Sequence, residues 1–333
     1  MNKEKEKLLK LIEAFAEKRI MVWGDFILDE YIYGYTRRIS REAPVLILSY
    51  HSKELSLGGA GNSVLNLLSL GAEPIPVGVI GADDSGKKIR KILRQKGIAT
   101  EYLHLEGKYQ TPLKTRILAG EEHTRKQQIL RIDRETKVPE NSEIKQKIKQ
   151  NINKIFKSSH ALLISDYNYF TVREETFNQI FPWFKKADIP VTLDSRFRLL
   201  NFKGVTAATP NEPEVEEALK IQINEDSALL KEAGKKILKK IQSPALLVTR
   251  GSKGMILFEE HKIPFAIPIR GTTDIVDVTG AGDTVISVFT LAIACGATFR
   301  QAALLANYAG SVVVMKKGTA TLTSSELKEA ITS

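Results

Sequence analysis

The chain has 333 residues, of which 43% are hydrophobic and 26% charged, the balance of a soluble globular protein long enough to bury one large α/β core. Lys and Arg outnumber Asp and Glu by 49 to 39, and the net charge of +10 favours anionic partners: phosphorylated small molecules, nucleic acid or a membrane surface. A single cysteine, Cys295, excludes a disulfide framework and any Cys/His metal spacing, so a cytoplasmic location is expected. No apolar run reaches the roughly 20 residues that a bilayer crossing needs, and no basic stripe is interleaved with aromatics. Neither a membrane nor a nucleic acid is therefore expected as partner.

The opening "MNKEKEKLLKLIEAFAEKR" mixes acid and base and reads as an amphipathic surface helix, not a signal peptide. "IMVW" (20–23) is strand-like and runs into Gly24-Asp25. Residues 30–50 and 108–132, rich in Tyr, Thr, Ile and Val, predict β-ribbon that projects from the main body as a lid or dimer surface. Between them, "LGGAGNSVLNLLSLGA" (57–72) predicts a helix entered through Gly58, Gly59 and Gly61, with Asn62 at its start and Gly71 as its stop. Further on, "ALLIS" (161–165), "PVTL" (190–193), "VTAA" (205–208) and "ALLV" (245–248) are strand-like, with helices at 173–187 and 226–242 separating several of them.

That alternation predicts an α/β fold with a parallel sheet covered on both faces. Each strand-like run ends in polar residues: Gly24-Asp25, Asp166, Asp194, Thr209-Pro210-Asn211 and Thr249-Arg250-Gly251. Ligands in open α/β sheets bind beyond the carboxyl ends of the strands, so these five clusters are expected to converge on one crevice.

Two stretches imitate nucleotide motifs. "GADDSGKK" (81–88) begins like a P-loop but carries Lys88 where a magnesium-binding hydroxyl belongs; it reads better as a turn that closes a strand and opens a helix. Gly280-Ala281-Gly282 begins a dinucleotide fingerprint, but Val285 stands at the third glycine position.

"DVTGAGDTVISVF" (277–289) carries more. Its glycines allow successive N–H groups to face one concavity, and a buried apolar helix follows, starting near Asp283. Asp283 as a simple helix cap explains neither the two glycines nor the second carboxylate at Asp277. A phosphoryl-transfer site uses all of them: amides for the charge on the transferred oxygens, and Asp283 for the proton of the attacking hydroxyl.

Taken together, these segments resemble the ribokinase-like carbohydrate kinases. "DVTGAGDT" is similar to the family's C-terminal signature, "GGAGN" and "GVIGADDSG" to its N-terminal one, and "TPNEPE" to its Asn-x-x-Glu element, over about residues 20–325. The resemblance implies one three-layer α/β/α domain over 1–333, with a mostly parallel central sheet and a small β-sheet lid. It also implies a carbohydrate kinase that uses ATP and Mg2+. Within the family, "YGYTRRISREAPV" (33–45), with its Ser-x-Glu-Ala-Pro-Val element, resembles the heptose-7-phosphate kinases that feed ADP-heptose synthesis. Many of these carry an adenylyltransferase domain, and none is expected within these residues.

Residue by residue, the resemblance makes Asp283 the catalytic base and the amides of Gly280, Ala281 and Gly282 its anion hole. Asn211 and Glu214 would organise magnesium, through water, and phosphate. Asp194, Thr249, Gly251 and Asn307 would serve the nucleotide. Asp25, Gly58, Gly59 and Asn62 would face the sugar, and Lys114, Arg116 and Arg131 its phosphate. A homodimer through the lid is expected. The chain departs from the pattern after "SDY", where Asn168 and Tyr169 replace an expected Lys-Gly, and at Arg196, where Lys is usual. The alternatives are a related kinase for another sugar or sugar phosphate, or a sugar-binding regulator without catalysis.

Overall fold

The computed structural model describes residues 3–121, 126–224, 226–270 and 276–333. The first half of the chain runs α1 (Lys3–Glu13), β1 (Arg19–Gly24), β2 (Phe26–Ile39), β3 (Leu46–Gly59), α2 (Ala60–Ser69), β4 (Glu73–Gly81), α3 (Asp84–Gln95), β5 (Leu103–Glu106), β6 (Leu113–Gly120) and β7 (Gln127–Arg134). There follow α4 (Ser142–Ile155), β8 (Ala161–Asp166), α5 (Glu174–Lys186), β9 (Val191–Ser195), β10 (Ala207–Ala208), α6 (Glu212–Leu219) and α7 (Ser227–Ile241). The last elements are β11 (Ala245–Thr249), β12 (Met255–Glu259), β13 (Phe265–Ile267), α8 (Ala281–Ala294), α9 (Phe299–Val313) and α10 (Ser324–Thr332).

Nine strands form the central sheet in the order β13-β12-β11-β10-β9-β8-β1-β4-β5. All neighbours from β11 through β5 are parallel; at one edge the β11–β12 and β12–β13 pairings are antiparallel, so β12 runs against the other strands. The apolar runs are continuous because both faces are buried. On β1, Ile20 and Val22 join a core with α1, α2, α8, α9 and α10, while Met21 and Trp23 join another with α4, α5 and α7. The layers are therefore α/β/α, as the alternation of elements predicts. Helices expected at 173–187 and 226–242 are found one residue shorter at each end, at Glu174–Lys186 and Ser227–Ile241.

After β1 a single residue, Asp25, separates the central sheet from a second sheet of order β3-β2-β6-β7. Its long hairpin pairs Phe26 with Gly59 at the root and Ile39 with Leu46 at the tip. The lid strands reach further than 30–50 and 108–132: the roots Phe26–Leu28 and Leu57–Gly59 are buried and lack the half-exposed alternation by which a ribbon is recognised. Residues 122–125, within the second lid segment, lie outside the described residues. The "GADDSG" turn is a helix entry: Asp83 caps α3 by accepting from the Gly86 N–H at 2.8 Å, and it also accepts from the Thr111 N–H at 2.9 Å. Among the described residues, no helix is long and apolar enough to cross a membrane.

Candidate active site

Four of the five polar strand ends do converge. Asp166, Asp194, Thr209 and Thr249 line one cleft with Asn211, Glu214, Arg196, Tyr167, Gly280, Gly282 and Asp283. The fifth, Asp25, does not. It is fully buried, and its carboxylate accepts the N–H groups of Tyr167 (2.9 Å), Tyr169 (3.0 Å) and Thr171 (3.1 Å). With its oxygens turned to this loop, Asp25 anchors backbone and does not face a sugar. Burial, then Asp166, pushes it up to about 6.

The helix that opens the cleft starts earlier than expected. Gly280, at φ +79°, is its N-cap, which puts Asp283 in the third helical position, where it makes no capping bond. That φ favours glycine, and a Cβ there would collide with Asn62 Nδ2. Asp283 is buried and held by two donors: Asn62 Nδ2 to Oδ2 at 2.9 Å, and the Tyr167 hydroxyl to Oδ1 at 3.0 Å. Burial dominates over these bonds and pushes the carboxyl up to about 7, with the charge of Asp194 adding to the rise. Of the three expected anion-hole amides, Ala281 is engaged, donating to Val278 O at 3.2 Å to close the turn. Gly280 and Gly282 line the cleft. Asp277 serves the turn itself: its carboxylate accepts from the Thr279 N–H and the Gly318 N–H, both at 2.9 Å.

The Asn-x-x-Glu element has a plain structural origin. Asn211 and Glu214 form the capping box of α6, with Asn211 Oδ1 accepting from the Glu214 N–H at 2.8 Å and Glu214 Oε2 from the Asn211 N–H at 2.9 Å. The same geometry holds Glu214 at the cleft beside Asp194. Burial pushes Glu214 up to about 7; burial, then the charges of Glu214 and Asp166, raises Asp194 well above the usual carboxylate range. The pair is a donor set suited to a hard divalent cation, whose charge relieves their repulsion.

On the lid side, Asp29 is the buried carboxylate that the sequence reading passed over. It pairs with Arg116, and a Cβ on Gly58 would collide with its Oδ2. Gly59, at φ +57°, begins α2, and a Cβ there would lie 3.2 Å from Tyr167 Cε2. Lys114 is buried, with Nζ 3.7 Å from Glu135 Oε1 and 5.8 Å from the Tyr167 ring centre. Burial, then Arg196, lowers its pKa. Arg131 is drawn outward to Asp133 at 2.9 Å and is about half exposed, at 47%. Tyr169, in place of the expected Gly, hydrogen-bonds Glu135.

Beyond Thr249 and Gly282 the cleft opens into a mainly apolar pocket that also contains Gly251, Val278, Val285 and Asn307. Asn307 is buried and donates to Pro268 O at 3.0 Å. Thr249, Gly251 and Asn307 thus line one pocket.

A three-layer α/β/α fold with a lid thus carries, at the carboxyl ends of its parallel strands, a carboxylate buried at a helix mouth beside a glycine turn. The chain belongs to the pfkB family carbohydrate kinases, whose family model matches residues 17–326. It is similar to the bifunctional protein HldE of Pelobacter propionicus, 33% identical over 329 residues, covering 98% of this chain and 66% of that protein. HldE of Citrifermentans bemidjiense is 38% identical over 321 residues, covering 95% and 64%. The chain therefore spans 64–66% of the length of these relatives. Ribokinase of Arabidopsis thaliana, complexed with ribose and ATP, superposes with a TM-score of 0.69 at 20% identity, covering 94% of this chain and 98% of that one. Phosphofructokinase-2 of Escherichia coli with fructose-6-phosphate gives 0.74 at 15%, covering 95% and 98%. These two share the fold.

Substituting Gly280→Ala tests the turn. A side chain at this φ that also displaces Asn62 should lower kinase turnover about 100-fold, the loss that a misplacement of about 1 Å produces, with the circular dichroism spectrum retained. Turnover within about threefold of wild type would show that the turn geometry is not needed.

Proposed function

We propose that the chain is an ATP- and Mg2+-dependent kinase that phosphorylates the anomeric hydroxyl of D-glycero-D-manno-heptose 7-phosphate to give the 1,7-bisphosphate, a step towards ADP-heptose. The observation that carries the chemistry is Asp283, a buried carboxylate held by two donors at the mouth of α8 and raised to about 7 by burial. A base with that pKa is poised to take a hydroxyl proton near neutral pH. The hydroxyl oxygen forms a bond to the γ-phosphorus while the bond from phosphorus to the β-phosphate oxygen breaks. The proton goes to Asp283 and ADP leaves. The amides at Gly280 and Gly282, with the positive end of α8, meet the charge on the transferred oxygens.

Mg2+, when bound, neutralises phosphate charge. Glu214, Asn211 and Asp194 would hold it through its water shell. The apolar pocket with Thr249, Gly251 and Asn307 suits a nucleobase. The phosphosugar reading is supported by the cations of the lid. Lys114, buried and disfavoured as a charge by burial and by Arg196, would gain most from a phosphate: its ion pair with Glu135 is long, at 3.7 Å, whereas Arg116 is closely paired with Asp29 and Arg131 with Asp133. The heptose reading is supported by the Ser40 to Val45 element and by the similarity to HldE proteins.

A coupled assay with ATP, with and without Mg2+, over heptose 7-phosphate, heptose, ribose, fructose and fructose 6-phosphate tests this reading. Turnover should be confined to heptose 7-phosphate and require Mg2+, and Lys114→Ala should lower kcat/KM about 100-fold through the lost charge-assisted contact. Turnover of a neutral sugar that survives Lys114→Ala would favour a kinase for another sugar. Sugar binding without turnover would favour a regulator.

The lid also supports a homodimer. Leu130 and Ile132 of β7 are 51% and 49% exposed, and Ile39 and Leu46 at the hairpin tip 65% and 49%. Apolar strand residues exposed in this way suit an interface. Sedimentation should give twice the chain mass, reduced to one chain by L130K/I132K; a monomeric wild type would overturn the dimer.

A further inference from the structure

Both oxygens of Asp283 are engaged, and one of the two partners belongs to no glycine signature. Tyr167 follows β8 and donates its hydroxyl to Oδ1 at 3.0 Å. Its ring is confined on several sides. The Tyr167 N–H is tied to Asp25 Oδ2 at 2.9 Å, and the N–H groups of Tyr169 and Thr171 are tied to the same buried carboxylate. Gly59 leaves only 3.2 Å between a notional Cβ and Tyr167 Cε2, and Lys114 Nζ stands 5.8 Å from the ring centre.

We infer that Tyr167 is a positioning residue for Asp283, fixing the plane of its carboxylate, and that Asp25 serves the reaction by fixing the loop that carries Tyr167. The inference rests on Asp283 being the base. A carboxylate held through one oxygen can still swing about its Cβ–Cγ bond, a broad torsion with two equivalent minima. Donors on opposite oxygens remove that freedom, so the remaining lone pairs meet the incoming hydroxyl from one direction. Catalytic geometry tolerates only about 10–20° of error.

The phenol stays protonated, because burial and the charge of Asp283 push it well above its usual range, so towards Asp283 it acts as a donor. The groups that face Asp283 are Asn62 from α2, Asp194 from β9, Asp29 from β2 and Tyr167 itself, with Arg196 and Glu214 in the same cleft. Of the first four, Asn62 and Tyr167 favour the charged carboxylate, whereas Asp194 and Asp29 oppose it.

The test is kcat and KM for Tyr167→Phe across the pH range, with Asp283→Asn beside it. The variant loses one hydroxyl, so its melting temperature should stay within about 2 °C of wild type. Because the lost bond favoured the charged form, the acid limb of kcat should move up by about half a pH unit or more. The high-pH plateau should fall about 3–10-fold from lost orientation, with KM for the sugar within about twofold. An unmoved limb with an unchanged plateau overturns the inference. So does a change confined to KM, which would make Tyr167 a sugar contact, or a faster kcat, which would make it a competitor of the substrate hydroxyl. Turnover retained in Asp283→Asn would instead sink the assignment of the base, whatever Tyr167→Phe does.

Discussion

A carboxylate removed from water is unfavourable unless donors surround it, and the cleft is organised around meeting that demand at Asp283. The donors come from distant parts of the chain: Asn62 from the start of α2 and Tyr167 from the loop after β8. Asn62 is itself held, since Asn66 Nδ2 donates to its Oδ1 at 3.2 Å. Asn66 in turn accepts from the Thr284 hydroxyl at 3.1 Å and the Leu322 N–H at 3.3 Å. One buried network therefore ties α2, the mouth of α8 and the segment before α10. Burial outweighs the two donors just enough to leave Asp283 near 7, which suits a base.

The rest of the cleft follows from parallel strands ending on one side. Asp166, Asp194, Thr209 and Thr249 are brought together by register, not by local sequence. Asp166 pairs with Arg198 and accepts from the Ser195 hydroxyl at 2.7 Å, so it braces the loops after β8 and β9. Among the described residues Asp194 and Glu214 form no ion pair, and burial raises both. The lid grows straight out of β1, which brings Asp29 and Lys114 over the same cleft on rigid strands instead of a loop.

Much of this was legible in the sequence, and the misreadings have physical causes. The strands showed as continuous apolar runs because helices cover both faces of the sheet. The sugar-facing role of Asp25 is what the family resemblance implies, and its place after an apolar strand agrees with it; that the chain turns there, and that Asp29 comes round to face Gly58, depends on the pairing of β2 with β3 and β6. The spacing of Asn211 and Glu214 is also that of a capping box, so spacing alone does not separate a helix start from a ligand site. The start of α8 was placed two residues late because aspartate is a common cap, whereas Gly280 takes that place with positive φ. Tyr167 gave no periodic or charge signal, since its role exists only once β8 and α8 are neighbours.

The most direct test of the account is Asp283→Asn, compared with wild type for turnover and, by calorimetric titration, for sugar and nucleotide binding. The amide keeps the shape but cannot accept the proton. The account predicts a fall in kcat of about 1,000-fold or more, the upper part of the range for a general base, with both affinities within about threefold. Turnover within about tenfold of wild type would contradict it, and would mean that the buried carboxylate is there to hold the helix mouth and not to take the proton.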